Sequence, residues 1–286
     1  MTECPDVTIV MPVGGAAADC GLPGVLRSLA SIGADPRVQI LAVPCPGAPD
    51  GAAAWLAARA ADDPRLTVLD LALCADAAAA DLTAAGPGGM ARARNGGIAV
   101  AAAPLVAFLD PGDVWLPGKL SAQRALHAGH PAIGFSFTDA RRIGTSGREG
   151  GRALAGWPRF RERHGRCASA FLLGADAQAQ LSDENLVVTS TVVARTDLLR
   201  EVGGFVPGIA APEYNLWLRL AELAPVACRP EATAQSHRSG RPQDAPAPLA
   251  ALADIIARRL RAAWRQDPRA ARGALRPRLD RPARPA

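Results

Sequence analysis

The first seventy residues alternate short apolar runs with segments of helical periodicity, and this limits the fold more than any other feature. "VTIVMPV" (7–13) is apolar or β-branched almost throughout and stops at Gly14-Gly15, the pattern of a strand buried on both faces. "LPGVLRSLASI" (22–32) places Leu26 and Leu29 on one helical face. "VQILAVP" (38–44) reads as a second buried strand, "AAAWLAARAAD" (52–62) as a second helix and "RLTVLDL" (65–71) as a third strand. Strands and helices in this rhythm imply βαβ units and a largely parallel sheet, so the fold class is α/β with helices flanking the sheet.

Further along, "GGMARARNGGIAVAA" (88–102) reads as a loop entering a helix, and "LVAFLD" (105–110) as the next strand. "AIGFSFTD" (132–139) is a strand expected to end at Asp139. Residues 141–185, rich in Arg and Gly, carry no regular period. "LVVTSTVVA" (186–194) is strand-like, "RTDLLREVGGF" (195–205) a short helix stopped by glycine, and "APEYNLWLRLAEL" (211–223) a helix opening after Pro212. "VACRPEATAQSH" (226–237) is a last strand leading to His237.

Charge and cysteine usage exclude several classes. Residues 240–286 hold 11 Arg and 4 Asp, a net +7, while the preceding residues carry 21 basic and 23 acidic groups, a net −2. The basic pI therefore belongs to the tail, and nucleic-acid binding by the main body gains nothing from it. Six scattered cysteines without a Cys-x-x-Cys pair argue against a disulfide framework or zinc ribbon. The longest apolar stretch, 98–109, contains Pro104 and is too short for a bilayer, and the N-terminus lacks a basic secretory n-region. A cytoplasmic location is expected.

One stretch carries chemistry: "FLDPGDVWLPGKL" (108–120), where an apolar strand runs into Asp110 and Asp113 across Pro111-Gly112. A carboxylate there is costly to desolvate unless something positive meets it. In parallel α/β sheets ligands gather beyond the carboxyl ends of strands. Two carboxylates at such an end suit a hard divalent cation that also bridges phosphates. The competing reading is that Asp113 caps the helix beginning in "WLPGKLSAQRAL". No Gly-x-Gly-x-x-Gly follows the first strand, which weakens a dinucleotide-binding Rossmann reading.

Taken in order, the segments resemble the family 2 glycosyltransferases, an inverting group with the GT-A fold. The resemblance is carried by "VTIVMPV", "LPGVLRSLASI", the central "GGMARARNGGIAVAAAPLVAFLDPGDVWLPGKLSAQ", then "VARTDLLREVGGF", "PEYNLWLRLAE" and "ATAQSH", over about residues 7–238. Lys119, the sole lysine, fits the Pro-x-Lys-Leu position of the family's central signature. The resemblance implies a nucleotide-diphosphate sugar as donor and Mg²⁺ or Mn²⁺ held by Asp110 and Asp113, with His237 as a further ligand or a plain surface histidine. Pro12, Arg94, Asn95 and Asp110 would border the donor: Arg94 either pairs with the diphosphate or sits at the surface, and Asn95 braces the loop. Glu213 would be the catalytic base, or else an acid favoured by the helix N-terminus.

Three positions depart from the family pattern. The second strand ends in Pro44-Cys45-Pro46 where the family has acids for the nucleotide base and ribose. Gly112 replaces the second Asp of Asp-x-Asp, and Glu213 stands where Asp is usual. A non-catalytic binding or scaffold protein on the same fold is therefore the alternative to a transferase. Two regions are expected: a GT-A-like domain over 1–239, and over 240–286 an amphipathic helix with an Arg/Pro-rich tail. The helix (248–267) lines up Leu249, Leu252, Ile256, Leu260 and Trp264. It would either fold back on the domain or lie on an anionic membrane, which would place the protein peripherally at the inner face. The acceptor would be a glycan or a lipid-linked molecule.

Overall fold

The structure is a computed structural model that describes residues 4–14, 21–70, 87–144, 146–209 and 211–237. The helix expected over 248–267, the tail and the boundary near residue 240 lie outside the described residues. Along the chain come β1 (Val7–Val13), α1 (Leu22–Ser31), β2 (Val38–Pro44), α2 (Ala52–Asp62), β3 (Leu66–Val68), α3 (Pro87–Val100), β4 (Leu105–Phe108), β5 (Val114–Trp115) and α4 (Lys119–Gly129). They are followed by β6 (Phe135–Ile143), β7 (Glu149–Arg152), α5 (Pro158–His164), β8 (Phe171–Leu172), α6 (Ala177–Asp183), β9 (Val193–Arg195), α7 (Thr196–Glu201), α8 (Pro212–Leu223) and β10 (Val226–Ser236).

These strands form one ten-stranded sheet in the order β3-β2-β1-β4-β9-β6-β10-β5, with β7 added to β6 and β8 to β10. The pairs β3/β2, β2/β1 and β1/β4 are parallel, as the βαβ rhythm requires. β9 enters antiparallel between β4 and β6, after which β6 and β10 pair in parallel again. The architecture is thus mixed α/β. All seven residues of β1 are buried because it lies between two strands under helices on both faces.

Alternate side chains divide between two cores. Ile9, Met11, Ala107 and Leu109 face one cluster with Val25 and Leu56. Val10, Val106, Phe108, Phe135 and Phe137 face the other, where Trp217 of α8 is fully buried. The Trp217 ring lies 6.0 Å from Phe108, 5.7 Å from Phe135 and 6.0 Å from Phe205, measured between centroids. Among the described residues no helix is long and apolar enough to cross a membrane.

Four expectations need correction. The 88–102 segment is helical from Pro87, not a loop entering a helix. β6 runs on to Ile143, so Asp139 lies within it. Its Oδ1 accepts the Ala140 and Leu154 N–H groups at 2.7 and 2.9 Å, and Arg152 Nε donates to Oδ2 at 2.6 Å. The strand-like 186–194 instead makes a 3₁₀ turn over Thr189–Thr191 and joins the sheet only at Val193, because its buried hydroxyls bond elsewhere, Thr191 Oγ1 to the Val188 carbonyl at 2.6 Å. The irregular 141–185 contains β7, α5, β8 and α6, each too short to show a period.

Candidate active site

β4 delivers the acidic turn to the carboxyl edge of the sheet. The Asp113 N–H donates to the Asp110 carbonyl at 3.1 Å, closing a turn with Pro111 and Gly112 at its centre. Gly112 has φ +91°, and Pro followed by a left-handed glycine is the signature of a type II turn. A side chain at 112 would be strained, which accounts physically for glycine where the resembling family has Asp.

Two serines clamp this turn. Ser190 Oγ donates to Asp113 Oδ2 at 2.6 Å and accepts the Asp110 N–H at 3.0 Å. Ser28 Oγ accepts the Gly112 N–H at 3.0 Å and donates to the Asp113 carbonyl at 2.7 Å. The Trp115 indole N–H donates to the Ser190 carbonyl at 2.7 Å. Asp113 is therefore not a helix cap: α4 starts at Lys119 behind Gly118, and Asp113 Oδ1 instead accepts the His237 backbone N–H at 2.8 Å. His237 thus reaches the acidic turn through its main chain.

Arg94, in α3, is fully buried, and its two terminal nitrogens meet two carboxylates: Nη2 lies 2.6 Å from Asp110 Oδ1 and Nη1 2.8 Å from Glu213 Oε1. Burial alone would depress its pKa, but the charges of Asp110 and Glu213 and their hydrogen bonds outweigh this and raise it, so Arg94 is a permanent cation. Both terminal nitrogens of this guanidinium already face carboxylates, and Arg94 is not a surface residue. Glu213 comes from the first turn of α8, where the helix dipole favours an acid.

The next residue holds the neighbouring loop. Asn95 Oδ1 accepts the Phe205 N–H at 2.8 Å, and Nδ2 donates to the Phe205 carbonyl at 2.9 Å. The Phe205 ring in turn stands 5.3 Å from the Arg94 guanidinium. Pro12 is buried in β1 opposite Val43 of β2. The segment after β2 keeps Pro44-Cys45-Pro46, with the Cys45 N–H on the Val13 carbonyl at 2.9 Å.

Lys119 lies beneath the turn rather than in it. Its Nζ donates to Gln123 Oε1 at 2.9 Å and sits 4.2 Å from the centre of the Trp115 ring, and burial pushes its pKa down to about 7. Gln123 continues the network to Ser136 Oγ and the Thr191 carbonyl, both at 3.0 Å.

Whether this set suits a divalent cation follows from its donors. Among the described residues no cluster of three or more His, Cys, Asp or Glu side chains is arranged to hold a metal. Asp110 and Asp113 supply hard carboxylate oxygens on one turn, and Mg²⁺ or Mn²⁺ is commonly held by one or two carboxylates together with substrate phosphates. The pair fits a cation shared with a phosphorylated ligand, not a cage made by protein alone. Ser28 and Ser190 carry no sequence signal for this site, since each acts through contacts with distant residues, whereas Phe205 closes the "VGGF" segment that carries part of the resemblance.

The mixed ten-stranded sheet flanked by helices, with an acidic turn at the end of the strand beside β1, is similar to the fold of the GT-A glycosyltransferases. Staphylococcus aureus TarS 1–349 in complex with UDP-GlcNAc superposes on 84% of the chain with a TM-score of 0.59 and 15% identity. The mannosyltransferase PcManGT from Pyrobaculum calidifontis, in complex with GDP-Man and Mn²⁺, covers 89% with a TM-score of 0.59 and 16% identity. The chain spans 61% of the TarS fragment and 65% of the mannosyltransferase. No protein-family model matches the sequence, and no curated protein matches it. At such identities the likeness establishes the fold alone.

Proposed function

We propose that this chain is an inverting glycosyltransferase of the family 2 type, moving a sugar from a nucleotide-diphosphate sugar to a hydroxyl of a glycan or lipid-linked acceptor. The observation that carries this reading is the Arg94 bridge, which gathers Asp110 from a strand end and Glu213 from a helix start around one guanidinium. Two carboxylates with different tasks are thereby held at a fixed separation at the carboxyl edge of the sheet.

In this reading Asp110 and Asp113 hold Mg²⁺ or Mn²⁺, which, when bound, neutralises the negative charge gained by the departing diphosphate. Glu213 takes the proton of the acceptor hydroxyl as that oxygen attacks the anomeric carbon from the face opposite the leaving group. Arg94 holds Glu213 Oε1, so Oε2 is the oxygen assigned to the proton. Ser28 and Ser190 fix the turn, Asn95 fixes the 204–205 backbone and Pro12 borders the nucleotide. Gly112 leaves one acid fewer for the cation, and with no acid nearer the end of β2 than Asp50, base and ribose recognition falls to other contacts.

The test is release of nucleoside diphosphate from a panel of UDP- and GDP-sugars with Mn²⁺. Glu213→Gln keeps shape and removes basicity, so turnover should fall at least about a hundredfold, within the range typical of general-base loss, while donor binding persists. Equal turnover by the variant would remove Glu213 from the mechanism. A second reading is a non-catalytic nucleotide-sugar binder. It is favoured by the commitment of both Asp110 and Glu213 to Arg94 and of both Asp113 oxygens to Ser190 and His237. Tight donor binding without turnover on a broad acceptor panel would select it.

A further inference from the structure

The run 186–194 places three hydroxyls among buried valines. Thr189, Ser190 and Thr191 are each at most 2% exposed. A hydroxyl removed from water is costly without a partner, and Ser190 finds its partners in the acidic turn. Its Oγ donates to Asp113 Oδ2 at 2.6 Å and accepts the Asp110 N–H at 3.0 Å, so one hydroxyl touches both acids. The serine is itself fixed from beneath. The Trp115 indole N–H donates to its carbonyl at 2.7 Å, and the fully buried Gln123 donates from Nε2 to the next carbonyl, that of Thr191, at 3.0 Å. Lys119 Nζ holds Gln123 in turn at 2.9 Å. The 3₁₀ turn that takes this run off the sheet ladder therefore sets Ser190 against Asp113.

Both carboxylates of the turn are held through particular oxygens. Asp113 accepts from Ser190 on Oδ2 and from the His237 N–H on Oδ1 at 2.8 Å, so the group cannot rotate without breaking one of these bonds. Asp110 Oδ1 faces Arg94 Nη2 at 2.6 Å, and a metal ion sharing that oxygen would stand against a guanidinium. Carboxylates fixed in this way suit contacts through one oxygen each. Mg²⁺ demands near-ideal octahedral geometry, keeps several waters and is commonly met by one or two carboxylates beside phosphates. Ca²⁺ gathers roughly six to eight oxygens and often takes both oxygens of a mobile carboxylate.

We propose that Ser190 is a positioning residue that sets the cation preference of the acidic turn, favouring Mg²⁺ or Mn²⁺ over Ca²⁺ by holding the Asp113 carboxylate at one angle. The inference rests on the reading that a divalent cation is shared between this turn and the donor diphosphate, and adds which ions the turn accepts. Ser190 acts through Asp113 and not by contact with the cation. Removing a hydrogen bond that orients a ligating carboxylate commonly costs about ten- to a hundredfold in metal affinity. Ser28 provides the contrast, because its Oγ bonds main-chain groups only: the Gly112 N–H and the carbonyls of Gly24 and Asp113. It holds the backbone of the turn and leaves the carboxylate untouched.

Free Mn²⁺ is read by its electron paramagnetic resonance signal as the full-length chain is titrated, alone and with UDP or GDP, against protein-free samples. Mg²⁺ and Ca²⁺ are read by displacement of Mn²⁺. Wild type should hold Mn²⁺ and Mg²⁺ more tightly than Ca²⁺. Ser190→Ala should weaken Mn²⁺ about tenfold and Ca²⁺ about twofold or less, so the preference falls by about fivefold. Ser190→Cys, similar in shape but only a weak donor, should follow Ser190→Ala and replaces it if that variant does not fold. Ser28→Ala should leave the ratio unchanged even where it weakens both ions. A wild type without preference, a ratio unmoved in the Ser190 variants, or an equal fall in Ser28→Ala would overturn the inference while leaving a cation at the turn. A chain that takes up no Mn²⁺, or takes it up equally well after Asp113→Asn, would remove the cation from the turn and this inference with it.

Discussion

Replacing Arg94 with Met tests the centre of the site most directly. Met keeps most of the volume and removes the charge, leaving Asp110 and Glu213 facing each other without a counter-ion. Breaking a buried pair by removing one partner costs about 3–5 kcal/mol. Here the Asp110 side chain is 10% exposed and the Glu213 side chain 21%, so water screens part of the repulsion and the lower end, about 3 kcal/mol, applies. The contact of the guanidinium with the Phe205 ring is lost as well.

Urea unfolding at neutral pH reads this cost. Because its pKa is raised above the ordinary arginine value, Arg94 contributes stability that is fully present below that ordinary value and lost only far above it, so wild type should show no pH dependence from this group between pH 5 and 9. Adding Asp110→Asn and Glu213→Gln to Arg94→Met removes the uncompensated charges and should recover at least half of the loss. A cost for Arg94→Met below about 1 kcal/mol, the range of an exposed pair, would refute the argument that this cation holds the carboxylates. No recovery in the triple variant would do the same.

Two further outcomes follow from the packing. Burial pushes Lys119 down from 10.5 to about 7, so between these values the unfolded chain holds a proton that the folded one lacks, and stability should climb with pH by up to ~1.4 kcal/mol per unit. Lys119→Met should abolish that climb; an identical pH profile in the variant would mean that Trp115 and Gln123 keep the amine charged. At Gly97 a Cβ would stand 2.5 Å from Val10 Cγ1, so Gly97→Ala should destabilise by about 1–3 kcal/mol despite its better helix propensity. Val10→Ala in the same chain should restore part of that stability in urea titrations, and an additive loss would show that the clash is not the cause.

How much of this was legible in the sequence depended on how local each determinant is. β1, β2 and α2 have the bounds their apolar periodicity marks, because a buried parallel strand or an amphipathic helix writes its own pattern. The acidic turn over Pro111-Gly112 was equally readable, since turn chemistry is local, although β4 ends at Phe108, two residues before the expected Asp110. The 141–185 region was opaque because its elements run from two to seven residues, less than two turns of helix. The 186–194 run misled because β-branched residues also suit a buried 3₁₀ turn whose hydroxyls bond elsewhere. Arg94 could be singled out as a site residue, but its partner Glu213 lies 119 residues away, and no spacing rule encodes that pairing.

The three residue types within "RNGG" (94–97) become intelligible together once α3 is placed. Gly97 has no Cβ, and that absence lets the helix approach β1 to within the reach of Val10. The same close approach carries Arg94, one turn earlier, deep enough to stand under the end of β4, where Asp110 leaves the sheet. Asn95 then fixes the Phe205 backbone, and Gly204 beside it must be glycine twice over: its φ is +65°, and a Cβ would lie 2.4 Å from Asn95 Oδ1. That loop holds the Phe205 ring between Arg94 and the Phe108–Trp217 pair. Trp217 lies one turn after Glu213 on α8, so the packing that buries the tryptophan also sets the carboxylate against the guanidinium. The geometry at the edge of the sheet is in this way a consequence of how closely one helix packs beneath it.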